Sequence, residues 1–120
     1  MAQISDLIGK IFSSVENIDD EELVFVSTDG KRYKFYHAHD CCENVSIESI
    51  VGDLADLVGE PLLVAEESTS DENPEGVTKE HQDSFTWTFY KFATRKGYVD
   101  VRWYGESNGY YSESVDFAEF

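Results

Sequence analysis

The sequence predicts an α+β fold: a mainly antiparallel, curved sheet of consecutive β-hairpins with one main short helix. Three observations carry the prediction. Ser84 to Phe117 alternates apolar and polar residues around two turn signals, and holds both tryptophans, five of the seven tyrosines and four of the eight phenylalanines. Asp29-Gly30, between two further alternating runs, is a type I′ hairpin signature. Ile47, Ile50, Val51, Leu54, Leu57 and Val58 recur at the three- and four-residue spacings of a helix.

Taken in order, Ser5 caps a short helical turn that Gly9 stops, and a first strand runs from about Lys10 to Glu16. Asn17 to Glu21 is an acidic turn. Glu22 to Thr28 and Lys31 to Ala38 form a hairpin whose two-residue turn sets Val24 opposite Phe35 and Val26 opposite Tyr33, with that face buried. The apolar spacing from Ile47 through Gly59 makes an amphipathic helix, weakened by Gly52, that covers one sheet face. After Pro61, Leu62 to Ala65 reads as a strand, and Glu66 to Asp83 as a long flexible acidic loop within a single domain spanning 1–120.

The last third divides at Arg95-Lys96-Gly97 and Ser107-Asn108-Gly109. Three-residue loops with a bulge glycine pair Thr94 with Tyr98 and Glu106 with Tyr110, so that Phe89 faces Trp103 and Val101 faces Val115. One face then collects Phe85, Trp87, Phe89, Ala93, Val99, Val101, Trp103, Val115 and Phe117, spoiled only by Lys91 and Glu113. The other face carries Tyr90, Phe92, Tyr98, Asp100, Arg102, Tyr104 and Asp116. Tyrosines around one arginine can stack a planar group and hydrogen-bond its edges. Tyr90, Arg102, Tyr104, Asn108, Asp100 and Asp116 are therefore the candidate ligand-binding residues, against the plainer reading of a solvated sheet face. Asp100 opposite Asp116 is costly unless Arg102 or a bound cation offsets it.

A net charge of −16 argues against direct nucleic-acid binding, which needs a basic stripe. No run approaches the roughly 20 apolar residues of a membrane helix, and no basic-apolar signal opens the chain. A cytoplasmic location with reduced thiols at Cys41-Cys42 is the expectation.

His37-Ala38-His39-Asp40-Cys41-Cys42-Glu43 is the densest set of potential ligands. His37, His39 and Cys41 would share one side of a strand, as a zinc site could use, but no fourth ligand is supplied and His81 is the only other histidine. A structural turn with buried thiols is the expectation, with no metal and no cofactor. Asp40 and Glu43 beside the cysteines oppose a reactive thiolate. No phosphate-cradling loop or nucleophile elbow is present, and an enzyme is not expected.

The segments His39-Asp40-Cys41-Cys42-Glu43, Gly52-Asp53-Leu54 with Leu57-Val58-Gly59, Phe85-Thr86-Trp87-Thr88-Phe89-Tyr90 and Arg102 through Ser112 resemble a family of small acidic proteins of bacteriophages and prophages. The resemblance runs over nearly the whole chain and implies a setting, the infected bacterial host, where small non-enzymatic proteins serve counter-defence. The expected function is sequestration of a small nucleotide-like ligand; the alternative is an acidic inhibitor that binds and blocks a host protein, with DNA mimicry as one form of it. One short helix cannot cover both sheet faces, so the face with Tyr90, Phe92, Tyr98 and Tyr104 is expected to be buried in a homodimer or higher homo-oligomer.

Overall fold

A computed structural model describes residues 3–77 and 84–120. Its strands are β1 (Phe12–Ile18), β2 (Glu22–Ser27), β3 (Arg32–Tyr36), β4 (Asn44–Val51), β5 (Val64–Ser70), β6 (Ser84–Thr94), β7 (Gly97–Ser107) and β8 (Asp116–Glu119). They form two four-stranded sheets, β1-β2-β3-β8 and β4-β7-β6-β5, with antiparallel pairing throughout. Aromatic side chains join the sheets: Phe25 meets Phe92 at 5.1 Å between ring centroids, and Phe35 meets Tyr90 at 4.6 Å. Burying rings of this size stabilises by about 1.5–3 kcal/mol each, and this layer is the core of a β-sandwich.

The expected helix is not there. Among the described residues the only helical pieces are two single 3-10 turns, Ile4–Leu7 and Leu54–Leu57, so the α+β expectation gives way to an essentially all-β fold. The first part of the supposed helix, Ile47 to Val51, is the end of β4, and Leu54–Leu57 is one of the 3-10 turns; a bulge explains the misleading spacing. The register shifts between Ile47 and Ser49, which puts Ile47 opposite Trp103 and Ile50 opposite Val101 on one face. Two residues three apart thus share a sheet face, imitating a helical stripe. Gly52 ends the strand at φ +106°, where an added Cβ would lie 2.5 Å from the Tyr98 carbonyl oxygen.

Both hairpin registers differ by one residue from the expected ones. In the first, Ser27 and Lys31 close a three-residue loop with Gly30 at φ +91°, pairing Leu23 with Phe35 and Phe25 with Tyr33. Leu23 and Phe25, rather than Val24 and Val26, are buried with Tyr33 and Phe35. In the second, Thr94 pairs with Gly97 across a two-residue turn, and Phe89 faces Arg102 instead of Trp103. A one-residue slip inverts a strand's faces. Tyr90 and Phe92 consequently enter the core at 1% and 0% exposure, while Trp87, Phe89 and Lys91 join Asp100, Arg102 and Tyr104 outside.

The expected third hairpin is also replaced. After β7 the chain crosses to the other sheet, where β8 pairs Asp116 with Tyr36 and Phe117 with Phe35. Val115 does not face Val101, and Asp116 does not oppose Asp100, whose cross-strand neighbours are Lys91 and Val51. The acidic stretch expected to loop from Glu66 continues β5 as far as Ser70; 78–83 lie outside the described residues, His81 among them.

Candidate functional site

The outer face of the β4-β7-β6-β5 sheet is laid out in three cross-strand rows. Residues directly opposite in antiparallel strands share a face, which gives Val51, Asp100, Lys91 and Glu66 in one row, Ser49, Arg102, Phe89 and Ser68 in the next, and Ser46, Tyr104, Trp87 and Ser70 in the third. The first two rows line a groove of about 460 Å³, within the ~300–1,000 Å³ of ordinary small-molecule sites.

The third row lies beside the groove and carries two aromatic rings, Trp87 and Tyr104. Trp87 is fully buried although it points away from the core, because Tyr104 packs at 4.6 Å, Phe89 stacks beside it, and Asn73 accepts its indole N–H at 3.0 Å. The Arg102 guanidinium lies 5.2 Å from the Trp87 ring, and its Nε donates to the Glu48 carboxylate on the β4 bulge. Cation-π contact and ion pair together hold the guanidinium between Trp87 and Glu48, with Phe89 the cross-strand neighbour of Arg102. Lys91 is exposed, and among the described residues no carboxylate lies within ion-pair distance of its amine. The groove thus has a ring at its centre, cations on two strands, and carboxylates of Glu66 and Asp100 at its charged end.

Of the residues expected to bind a ligand, Arg102 and Asp100 line this groove and Tyr104 stands one row away, its hydroxyl donating to Glu106 at 3.0 Å. Tyr90 borders the groove through its strand, but its ring is in the core and its hydroxyl donates to Glu67 at 2.6 Å. Burial first, then that hydrogen bond, pushes the Tyr90 phenol well above its ordinary range. Asn108 sits in the exposed turn after β7, where its side chain accepts from the Tyr110 N–H. Asp116 belongs to the other sheet and accepts from the Ala38 N–H. Sequence reasoning missed Phe89, Lys91 and Glu48; Lys91 standing as a misfit on a supposed core face was the available signal.

The 37–43 loop is organised by Glu43 rather than by its cysteines. The Glu43 carboxylate, 1% exposed, accepts from His37 Nε2 at 2.9 Å, the Asp40 N–H at 3.0 Å and the Cys41 N–H at 2.8 Å. The hydrogen bond from His37 and those from the backbone hold its pKa well below the usual carboxylate range, at about 2, against the opposing effect of burial. His37 Nδ1 also meets the Ser114 carbonyl at 2.7 Å, so the ring bridges the 37–43 loop and the segment before β8. Cys41 and Cys42 are exposed and joined to each other, which corrects the expectation of buried, reduced thiols. His39 turns outward and contacts the Glu43 carbonyl, and among the described residues no group of three or more His, Cys, Asp or Glu side chains is arranged to hold a metal ion.

Comparison with protein-family models matches residues 5–117 to the family described as a domain of unknown function, DUF7448. The chain belongs to that family. Neither a curated protein nor a solved structure matches it. Among the described residues no helix is long and apolar enough to cross a membrane.

Proposed function

We propose that this DUF7448 chain is a phage-encoded binding protein that serves counter-defence by holding a small, planar, nucleotide-like ligand in the outer groove without transforming it. The observation behind the reading is the placement of the Phe89 ring beside Arg102 and one row from Lys91, two cations on neighbouring strands of a chain with net charge −16. A base stacks on Phe89, and a phosphate pairs with Lys91 and the outer edge of Arg102. Asp100 and Glu66 accept from the N–H edge of a base or from ribose hydroxyls. The resemblance to small acidic phage proteins supplies the setting.

Thermal melting with ATP, cyclic AMP and cyclic di-AMP as probes tests this. A ligand at about 100 times its Kd stabilises by about 2.7 kcal/mol, so at least one probe raises the melting temperature by several degrees, and Lys91→Glu removes the rise. No shift with any of the three, or a shift that Lys91→Glu leaves intact, contradicts the reading. The second reading, an acidic inhibitor of a host protein, has the exposed run Glu16, Asp19, Asp20 and Glu21 behind it. It requires a host protein retained at low salt and released at high salt.

A further inference from the structure

We propose a second, chemically distinct site: the polar mouth between the sheets binds one ring of a neutral saccharide. The mouth is a cavity of about 280 Å³ bounded on one side by Thr69, Thr86 and Thr88 of the β5-β6 hairpin and on the other by the segment from Tyr111 to Val115. Its volume falls just under the ~300–1,000 Å³ range of drug-sized ligand pockets, which suits a single small ring. No lysine or arginine lines it, whereas Glu67 and Glu113 both do. An anion would meet two carboxylates with no counter-charge, and an apolar ligand would cover carboxylates and hydroxyls that keep spare acceptor capacity, at ~1–3 kcal/mol for each polar group buried without a partner. A polyhydroxylated neutral ring answers both conditions, donating to the carboxylates and exchanging hydrogen bonds with the threonines and serines.

The walls are held from behind. Glu113 accepts from Ser107 Oγ at 2.6 Å and Thr86 Oγ1 at 2.9 Å, and Glu67 is fixed by the buried Tyr90 hydroxyl at 2.6 Å. The far wall lies directly on β7: a Cβ at Gly105 would come within 2.6 Å of the Glu113 carbonyl oxygen, so the glycine is what seats that segment. His37 grips the same segment through the Ser114 carbonyl. Thr88 lines the mouth although it is only 2% exposed. Carboxylates fixed from behind on both sides of a polar-lined cavity are the provisions of a binding site rather than of a sealed core.

Saturation-transfer NMR and calorimetry with glucose, galactose and N-acetylglucosamine test the assignment. The intact chain should receive at least one of them, with the Tyr111 ring among the protons that transfer. Thr88→Val should weaken that binding about threefold to tenfold, the range of one neutral hydrogen bond, and Thr69→Val on the exposed rim does the same should Thr88→Val fail to fold. Phe89→Ala and Lys91→Glu in the outer groove should leave it unchanged, which separates failure here from failure of the nucleotide reading. No transfer from any of the three sugars overturns the proposal. So does sugar binding indifferent to both threonine changes, or a mouth that responds to spermidine or calcium and not to sugars.

Discussion

Glu43 is the residue on which the 37–43 loop depends, since its carboxylate answers the His37 ring and two backbone N–H groups. A carboxyl held near 2 in the folded chain and near 4.5 in the unfolded one stabilises the fold above the unfolded value. That contribution is lost as pH falls from about 4.5 through about 2. Urea midpoints measured down the acid range should fall over that window, and Glu43→Gln should both lower the midpoint at neutral pH and flatten the acid response. Glu16→Gln, an exposed carboxylate on β1, should do neither. Tyr90 works in the opposite sense: its raised pKa favours the neutral phenol, so its stabilisation is complete below about 10 and is lost as pH rises beyond. In an alkaline titration followed by tyrosinate absorbance, one of the seven tyrosines should ionise only with unfolding, and Tyr90→Phe should remove that step.

At the scale of the elements, loop length decides which faces meet. The 95–96 turn is held by partners far along the chain: Thr94 Oγ1 donates to the Asp56 carbonyl, and Lys96 Nζ donates to the Val58 carbonyl at 2.8 Å. Gly97 is not in the left-handed region; an added Cβ there would lie 2.7 Å from Asp56 Oδ2, the movable end of a side chain on the Leu54–Leu57 turn. A local reading of Arg95-Lys96-Gly97 as a bulged loop is therefore reasonable and wrong, since the deciding contacts come from the 3-10 turn at Leu54–Leu57. Strand β6 offers no correction from alternation, because Phe85, Trp87 and Phe89 on one face balance Tyr90 and Phe92 on the other. What was legible is the existence of β2, β3, β6 and β7, the alternation of β7 with Val99, Val101 and Trp103 inward, and Arg102 with Asp100 outward. What was not is the bulge at Glu48 and the departure of β8 to the other sheet, both products of pairing across long stretches of chain. Gly52→Ala should cost more than Gly30→Ala in denaturant melts. Both adopt positive φ at about 1–2 kcal/mol, but only Gly52 also meets a carbonyl oxygen, whereas nothing lies within 4 Å of a Cβ at Gly30.

For the whole molecule, the two sheets cover each other, so Tyr90 and Phe92, half of the aromatic set once expected to require a second subunit, lie in the interior, while Tyr98 and Tyr104 stay on the outer face. Tyr90 and Phe92 are buried and Tyr104 is 9% exposed; Tyr98, at 58%, is the one member of that set on open surface. Phe92→Ala should therefore destabilise by about 3–5 kcal/mol, as a core ring does, rather than shift an association equilibrium. The chain's 25 acidic against 9 basic residues oppose compaction, and raising sodium chloride from about 0.05 to about 0.5 M should lift the melting temperature by a few degrees as screening shortens. The same field makes Lys91 and Arg102 conspicuous, and the central claim is that they and Phe89 form a receiving surface. Two-dimensional NMR of the isotope-labelled chain, titrated with the nucleotide that raises its melting temperature most, tests this most directly. The account predicts saturable shifts concentrated on Ser68, Phe89, Lys91 and Arg102, with the 37–43 loop and the β1-β2 turn unmoved. Shifts scattered over the acidic surface, or none at millimolar nucleotide, would contradict it.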